Sequence, residues 1–194
     1  PYDTETLTDL LSTIKPTVPK YCRINRVVRD IPSTHVIEGN KRTSLRMDLE
    51  KAMADKGLHC KCVRCREVRG KKVDLVDLRL DDLIYKAGEA EEHFIQFVTP
   101  EDKLAGFLRL SLPNAQSPMT GMADLDGAAI IREVHVYGQS LEVGASKDGA
   151  AQHIGLGTRL IEECERVARD KGFKRMAVIA AVGTREYYLK RGFE

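Results

Sequence analysis

A glycine-rich turn that leads directly into an amphipathic helix is the feature that most constrains this chain. The turn is Gln152-His153-Ile154-Gly155-Leu156-Gly157-Thr158. Glycine lets a backbone approach an anion closely, and the first N–H groups of a helix have no intrahelical acceptor. Because the helix macrodipole lies behind those N–H groups, the pattern predicts a pyrophosphate-binding site. One apolar stripe marks the helix: Leu156, Leu160, Ile161, Cys164, Val167 and Ala168. We interpret Cys164 as a small core residue of that stripe.

The predicted elements around this turn indicate an α+β or mixed α/β fold with a central mixed sheet and flanking helices. Period-two patterns and turn residues predict the strands, and period-3.6 patterns predict the helices. The predicted strands cover residues 73–80, 93–98, 104–112, 128–137 and 175–181, with a helical turn at 81–86, a loop at 113–127 and a last helix at 184–190.

The first part of the chain reads as a separate module. Leu7, Leu10, Leu11 and Ile14 predict a short helix that Pro16 ends, and a strand at Arg23–Arg29 and a helix at 43–56 follow. The pattern changes at Val73. We therefore assign residues 1–19 to the tail of a missing domain, 20–72 to a linker module and 73–194 to a second domain with a truncated C-terminal strand.

The charge of the chain is segregated. Residues 20–72 hold 15 Lys/Arg against 6 Asp/Glu, a net +9, and the remaining residues have a net −7. Such a basic module indicates a polyanionic partner, and nucleic acid is the leading candidate. Candidate phosphate contacts are Arg23, Arg26, Arg29, Lys41, Arg42, Arg64, Arg66 and Arg69.

Three cysteines stand within six residues of the basic module. The run Cys60-Lys61-Cys62-Val63-Arg64-Cys65 has the spacing C-x-C-x-x-C. Clustered thiolates need a cation, and a structural zinc site needs a fourth ligand. We choose Cys22, with His59 or a residue outside this chain as alternatives. An iron–sulfur cluster could use the same thiols, but the basic setting favours Zn²⁺ in a closed site that holds the basic residues on a rigid frame.

The sequence indicates neither a membrane span nor a signal peptide. No apolar run approaches the roughly 20 residues that span a bilayer, and the first residues lack basic and apolar signal regions. A cytoplasmic location without membrane contact is therefore expected. Because the chain begins at Pro1 and stops at Glu194 where a further strand is expected, we interpret it as a fragment.

The C-terminal half resembles the GNAT acyltransferases. The pattern Gln152-x-x-Gly155-x-Gly157, a strand, and then Tyr188-Leu189-Lys190-Arg191-Gly192-Phe193 follows their order. The resemblance implies a GNAT fold in which the strand ending near His135 splays from its neighbour and binds pantetheine. It also implies that Tyr188 protonates the leaving thiolate, with Tyr187 as the rival assignment. Implied acetyl-coenzyme A contacts are His135, Val136, Gln152, His153, Ile154, Gly155, Leu156, Gly157, Thr158, Tyr187 and Tyr188.

A sharper resemblance covers essentially the whole chain. The runs 26–32, 65–67 and 132–138, together with the glycine-rich turn, look like the family of Elongator catalytic subunits. Those proteins join a radical S-adenosylmethionine domain with a 4Fe-4S cluster to an acetyltransferase-like half. The resemblance implies that the radical domain and its cofactors lie outside this chain, and that Cys60, Cys62 and Cys65 are not the cluster ligands.

The family reaction implies the substrates and partners. It forms carboxymethyluridine at the wobble uridine of tRNA from acetyl-coenzyme A. The partners are then the tRNA anticodon region, acetyl-coenzyme A, the upstream radical domain and further complex subunits, and tRNA is expected to stimulate acetyl-coenzyme A hydrolysis. Two alternatives remain: a protein lysine acetyltransferase with Glu133 as the base, and a tRNA-docking module without turnover. Glu133 could instead pair with Arg132.

Overall fold

The computed structural model of this chain describes residues 1–28, 31–69, 73–137 and 155–194. Within them the chain forms two units, Pro1–Glu67 and Val68–Glu194. The predicted division into 1–19, 20–72 and 73–194 stays a prediction, because compactness alone does not define a functional module. No helix in the described ranges combines the length and the apolar character that crossing a bilayer requires.

The described residues of the first unit form three α-helices. They are α1 (Thr4–Ile14), α2 (Leu45–Asp55) and α3 (Val63–Arg66). Asp3 caps α1 because its carboxylate accepts the Thr6 N–H at 2.7 Å. The α1 helix packs against α2, whose apolar side chains are buried at Leu45, Leu49 and Met53.

The strand predicted at Arg23–Arg29 is wrong for the described residues, and Arg29 itself lies outside them. Arginine side chains and another loop satisfy the carbonyls that a neighbouring strand would have bonded. Arg46 donates to the Ile24 carbonyl at 3.0 Å, and Arg64 donates to the Asn25 carbonyl. The Cys22 carbonyl accepts the Val63 N–H at 2.9 Å. These three carbonyls are therefore paired without a sheet.

The second unit is a five-stranded sheet in the order β1-β2-β3-β4-β5. The neighbouring strands from β1 through β4 pair antiparallel, and β5 pairs parallel with β4. The bounds are β1 Arg79–Ala87, β2 Ala90–Val98, β3 Leu104–Pro113, β4 Ala129–Val136 and β5 Met176–Val178. This mixed sheet with flanking helices confirms the predicted fold class.

The strand predicted at 73–80 and the helical turn predicted at 81–86 are both wrong. Leu75–Asp77 is a single 3₁₀ turn, and the strand starts at Arg79. The reason is a tight hairpin in which Ala87 pairs with Ala90 and Gly88 adopts φ +59°. Apolar and polar residues alternate in 73–80 as in a strand. The residues that pair with the buried strand β2 are instead Arg79–Ala87.

Helix α4 (Leu156–Asp170) packs on β2, β3 and β4, and the short helix α5 is Arg185–Leu189. The predicted apolar stripe of α4 is buried, which includes Cys164. Cys164 is fully buried and is therefore a core side chain as predicted, and this burial raises the pKa of its thiol. The packing of α4 on the sheet thus places the N-terminus of α4 beside the C-terminal end of β4.

Candidate functional site

Helix α4 begins without a capping side chain. Gly155 is its N-cap residue at φ +111°, a conformation that favours glycine, and its carbonyl accepts the Arg159 N–H at 2.8 Å. The first turn of the helix contains no acidic residue. The positive end of the macrodipole is therefore not offset by a local carboxylate, which suits an anion. Leu156 is buried, so it offers only its backbone.

Three of the predicted contacts lie outside the described residues. They are Gln152, His153 and Ile154. The site as described begins at Gly155, and their role in holding pyrophosphate stays a prediction.

Gly157 lies where α4 closely approaches a side chain of α5. A Cβ at this position would lie 2.5 Å from Tyr187 Oη and 3.8 Å from Val136 Cγ2. Only a residue without a side chain leaves room for the phenol. The glycine thus places the Tyr187 hydroxyl at the first turn of α4, next to the end of β4.

Arg191 holds that tyrosine in place. Its Nη1 donates to the Tyr187 carbonyl at 2.7 Å, and its Nη2 donates to Thr158 Oγ1 at 2.7 Å. Its Cζ lies 3.5 Å from the centre of the Tyr187 ring, a cation–π contact. One guanidinium therefore joins α4, α5 and the phenol. The sequence analysis missed this role, although Arg191 follows Tyr187 by four residues.

Tyr188 occupies a different environment. Its side chain is 8% exposed and packs edge-on against Phe193 at 5.6 Å between ring centres. Burial raises the pKa of the Tyr188 phenol. The two tyrosine rings contact each other edge-on at 5.3 Å, but Tyr188 belongs to the core and Tyr187 reaches the first turn of α4.

Strand β4 pairs with β5 over only part of its length. The pairing covers Ala129–Ile131 against Met176–Val178, and the Ile179 N–H then donates to the Ile131 carbonyl at 3.0 Å. In the described residues, β4 continues from Arg132 to Val136 without a β5 partner. The resemblance expects the splay at this end of β4, and no β5 residue pairs there with the described backbone of His135 and Val136.

Glu133 forms an ion pair with a residue that the sequence analysis did not consider. Arg109 Nε donates to Glu133 Oε2 at 2.9 Å, and the Glu133 side chain is 43% exposed. The Arg109 guanidinium lies over the rings of Phe94 and Phe107, at 4.8 and 5.3 Å from their centres. Arg132 instead pairs with Glu92 at 3.1 Å. The Glu133 carboxylate is therefore held in place on the sheet by Arg109.

Three aromatic rings lie beside that ion pair. His135 and Tyr137 have ring centres 4.4 Å apart, and Phe107 stacks on His135 at 6.0 Å with an interplanar angle of 12°. Phe107 is 1% exposed, whereas His135 is exposed. The side chain of His135 thus stands on a buried aromatic base.

The three thiols of the cysteine cluster lie together. The Sγ atoms of Cys60, Cys62 and Cys65 are within 4.8 Å of one another. Hydrogen bonds from the Cys60 and Cys65 thiols hold the pKa of Cys62 far below its usual value, and the pKa values of the two donors are raised. Sulfur atoms bound to one zinc ion at about 2.3 Å would be similarly close, so the donor set fits Zn²⁺.

Cys22 is a neighbour of this cluster through its backbone. The Cys22 carbonyl bonds the Val63 N–H, which starts α3 within the cluster. Among the described residues, the group of mutually close ligand atoms contains Cys60, Cys62 and Cys65 without Cys22. Its role as the fourth ligand stays a prediction.

The predicted phosphate contacts differ in exposure. Arg66 is 4% exposed, so its guanidinium lies away from the surface, and its contact with phosphate stays a prediction. Arg23 pairs with Glu67, and Arg42 pairs with Asp48 at 3.1 Å. Arg64 is half-buried. Exposed side chains are Arg23, Arg26, Lys41, Arg42 and Arg69.

Comparison with known proteins places this geometry among acetyltransferases. Residues 66–193 match the acetyltransferase (GNAT) family. A protein of Dehalococcoides mccartyi named tRNA uridine(34) acetyltransferase is 40% identical over 200 residues, which cover 100% of this chain and 43% of that protein. The Danio rerio Elongator complex protein 3 is also 40% identical, over 100% of this chain and 36% of its own length.

A solved structure agrees with these relatives. The archaeal Methanocaldococcus infernus Elp3 with an N-terminal deletion superposes with a TM-score of 0.87 and 34% identity, over 100% of this chain and 47% of that one. The resemblance to Elongator catalytic subunits is therefore confirmed. This chain spans less than half the length of these relatives.

Proposed function

Because this chain belongs to the GNAT acetyltransferase family, we propose that it is the acetyl-coenzyme A-binding domain of an enzyme that forms carboxymethyluridine at the wobble uridine of tRNA. The observation that carries the proposal is the junction of α4, α5 and β4, where Gly157 brings the Tyr187 hydroxyl to the end of the opened strand. Relatives named tRNA uridine(34) acetyltransferase support the choice of tRNA as acceptor.

Two parts of the chain, the N-terminus of α4 and the end of β4, bind different parts of acetyl-coenzyme A. The N-terminus of α4 at Gly155 receives the pyrophosphate. The pantetheine amides bond the open backbone at His135 and Val136. These contacts fix the thioester near Tyr187 by positioning alone, without a charged nucleophile.

Tyr187 is the proposed general acid. Thioester hydrolysis adds water to the acetyl carbonyl carbon and breaks the carbon–sulfur bond, so the leaving sulfur needs a proton. The Tyr187 phenol can donate that proton, whereas Tyr188 is buried in the core. Arg191 fixes the donor through its ring and its carbonyl. In the family reaction a radical domain outside this chain, with S-adenosylmethionine and a 4Fe-4S cluster, activates the acetyl methyl group.

A structural Zn²⁺ ion is proposed at Cys60, Cys62 and Cys65, with Cys22 as the fourth ligand. The support is the closeness of three sulfur atoms, which suits one Zn²⁺ ion. The ion would hold α3 to the segment near Cys22. Exposed basic residues of the first unit then contact tRNA phosphates from a rigid frame.

The test is acetyl-coenzyme A hydrolysis with and without tRNA. Free coenzyme A is quantified by chromatography, with a lysine peptide as the competing acceptor. We expect tRNA to raise the rate and the peptide to stay unmodified. If tRNA does not change the hydrolysis rate and the peptide is acetylated, the result would favour the lysine acetyltransferase with Glu133 as base. Binding of tRNA and acetyl-coenzyme A without any turnover would favour a docking module.

A further inference from the structure

The side chains of β4 present two different surfaces. Val134 and Val136 are partly buried against the core that α4 covers, whereas Glu133 and His135 are exposed. Alternating side chains of a strand point to opposite faces of the sheet. The exposed pair therefore lies on the sheet face opposite α4, on the strand that opens beside β5.

We propose that this face binds the uracil base of the tRNA, with His135 as the stacking ring and Glu133 as a hydrogen-bond acceptor. The inference rests on the proposed function and names the residues that hold the acceptor base. Single-stranded bases are recognised by aromatic stacking and by bonds to their edges. Uracil offers a planar face and one N3–H donor, and this surface offers a ring beside a carboxylate.

The rings are held in place before any base arrives. His135 stacks on Phe107, which is buried, and its ring centre lies 4.4 Å from that of Tyr137. A side chain that is already ordered loses little conformational freedom on binding. Stacking on His135 therefore adds to affinity without a large ordering cost.

The carboxylate is held in place as well. Glu133 bonds Arg109, whose guanidinium lies over Phe94 and Phe107. Residues two apart on a strand are separated by about 7 Å, which suits a pyrimidine that stacks on one and bonds the other. Glu133 thus acts as an acceptor for the base, and Arg109 is its positioning residue.

The experiment measures the affinity of the full chain for an anticodon stem-loop RNA by fluorescence anisotropy. One RNA carries uridine at the wobble position, and a matched RNA is abasic there. We expect the parent protein to prefer the intact RNA roughly ten-fold, the range of one stacked base. His135→Ala should remove this preference and leave affinity for the abasic RNA unchanged, while His135→Phe keeps it.

Further measurements distinguish a failure of the stacking surface from a failure of the proposed function. Wobble N3-methyluridine, which lacks the N3–H donor, should weaken binding to the parent protein but not to Glu133→Ala. Met119→Ala changes an exposed loop residue and is the control. If the parent binds the intact RNA better and His135→Ala keeps the same preference, the stacking surface is refuted and the proposed function stands. If the parent protein binds neither RNA, both the stacking surface and the proposed function are refuted.

Discussion

The close packing at Gly157 allows a sharp test of the proposed site by Gly157→Ala. The added Cβ would lie 2.5 Å from Tyr187 Oη, inside the 3.4 Å at which ordinary van der Waals contact begins. The ring Cζ would lie at 3.6 Å, an ordinary contact. The hydroxyl must therefore move by about 1 Å, against the Arg191 contact that holds its ring.

Two opposing terms set the size of the effect. Overpacking costs about 1–3 kcal/mol, and alanine in place of a helical glycine stabilises by about 1 kcal/mol. We expect Gly157→Ala to lower the free energy of unfolding by about 0–2 kcal/mol. With Tyr187→Phe the hydroxyl is gone, so the same change should stabilise the protein by up to about 1 kcal/mol.

Urea unfolding of the four variants in this double-mutant cycle measures the contact. We expect a coupling free energy of about 1–3 kcal/mol between the two positions. Gly157→Ala alone should also slow tRNA-stimulated hydrolysis, because the acid is displaced. The reasoning is refuted if Gly157→Ala changes stability equally with tyrosine and with phenylalanine at position 187.

Three further predictions follow from other contacts. Arg191→Met should lower the free energy of unfolding by about 1–3 kcal/mol in urea titrations, since it removes a charged donor from two acceptors. Arg191→Lys should not restore this stability, because one ammonium group cannot replace the two separate guanidinium N–H donors. Burial lowers the pKa of His93, but its bonds to Asp82 at 2.7 Å and Glu91 at 3.0 Å outweigh this and raise it. The stability that these bonds contribute is present below the unfolded pKa of about 6.5 and is lost as pH rises through the folded pKa. His93→Gln should therefore reduce the pH dependence of stability, which thermal unfolding at several pH values measures. Cys62→Ser should lower zinc content by mass spectrometry, and equal content in both proteins would contradict the site.

The sequence predicted those parts of the site that depend on local pattern. The α4 stripe and Gly155 are recognisable because a 3.6-residue period and a positive φ leave a direct trace in residue types. The hairpin of β2 and β3 was equally predictable from its alternation. Strand β1 was not, because Val73–Leu80 alternates as well and only pairing with β2 decides between the two stretches.

Long-range contacts left no such trace. Tyr187 and Tyr188 are adjacent in a short helix, and their roles depend on whether Gly157 or Phe193 faces each ring. Arg109 on β3 contacts its register partner Glu133 on the neighbouring strand β4, next to a register shift between Arg109 and Leu110. A register shift cannot be read from composition or periodicity.

Strand β4 links both reactants of the proposed chemistry. Its backbone bonds lie in the plane of the sheet, and its side chains stand perpendicular to that plane. Coenzyme can therefore bond the open edge at Val136 while a base lies on His135, without competition for one surface. A docking module would not need the two to share a strand. Loss of tRNA-stimulated hydrolysis in His135→Ala, with unchanged acetyl-coenzyme A affinity, would thus favour catalysis over docking, whereas full activity would count against a shared strand.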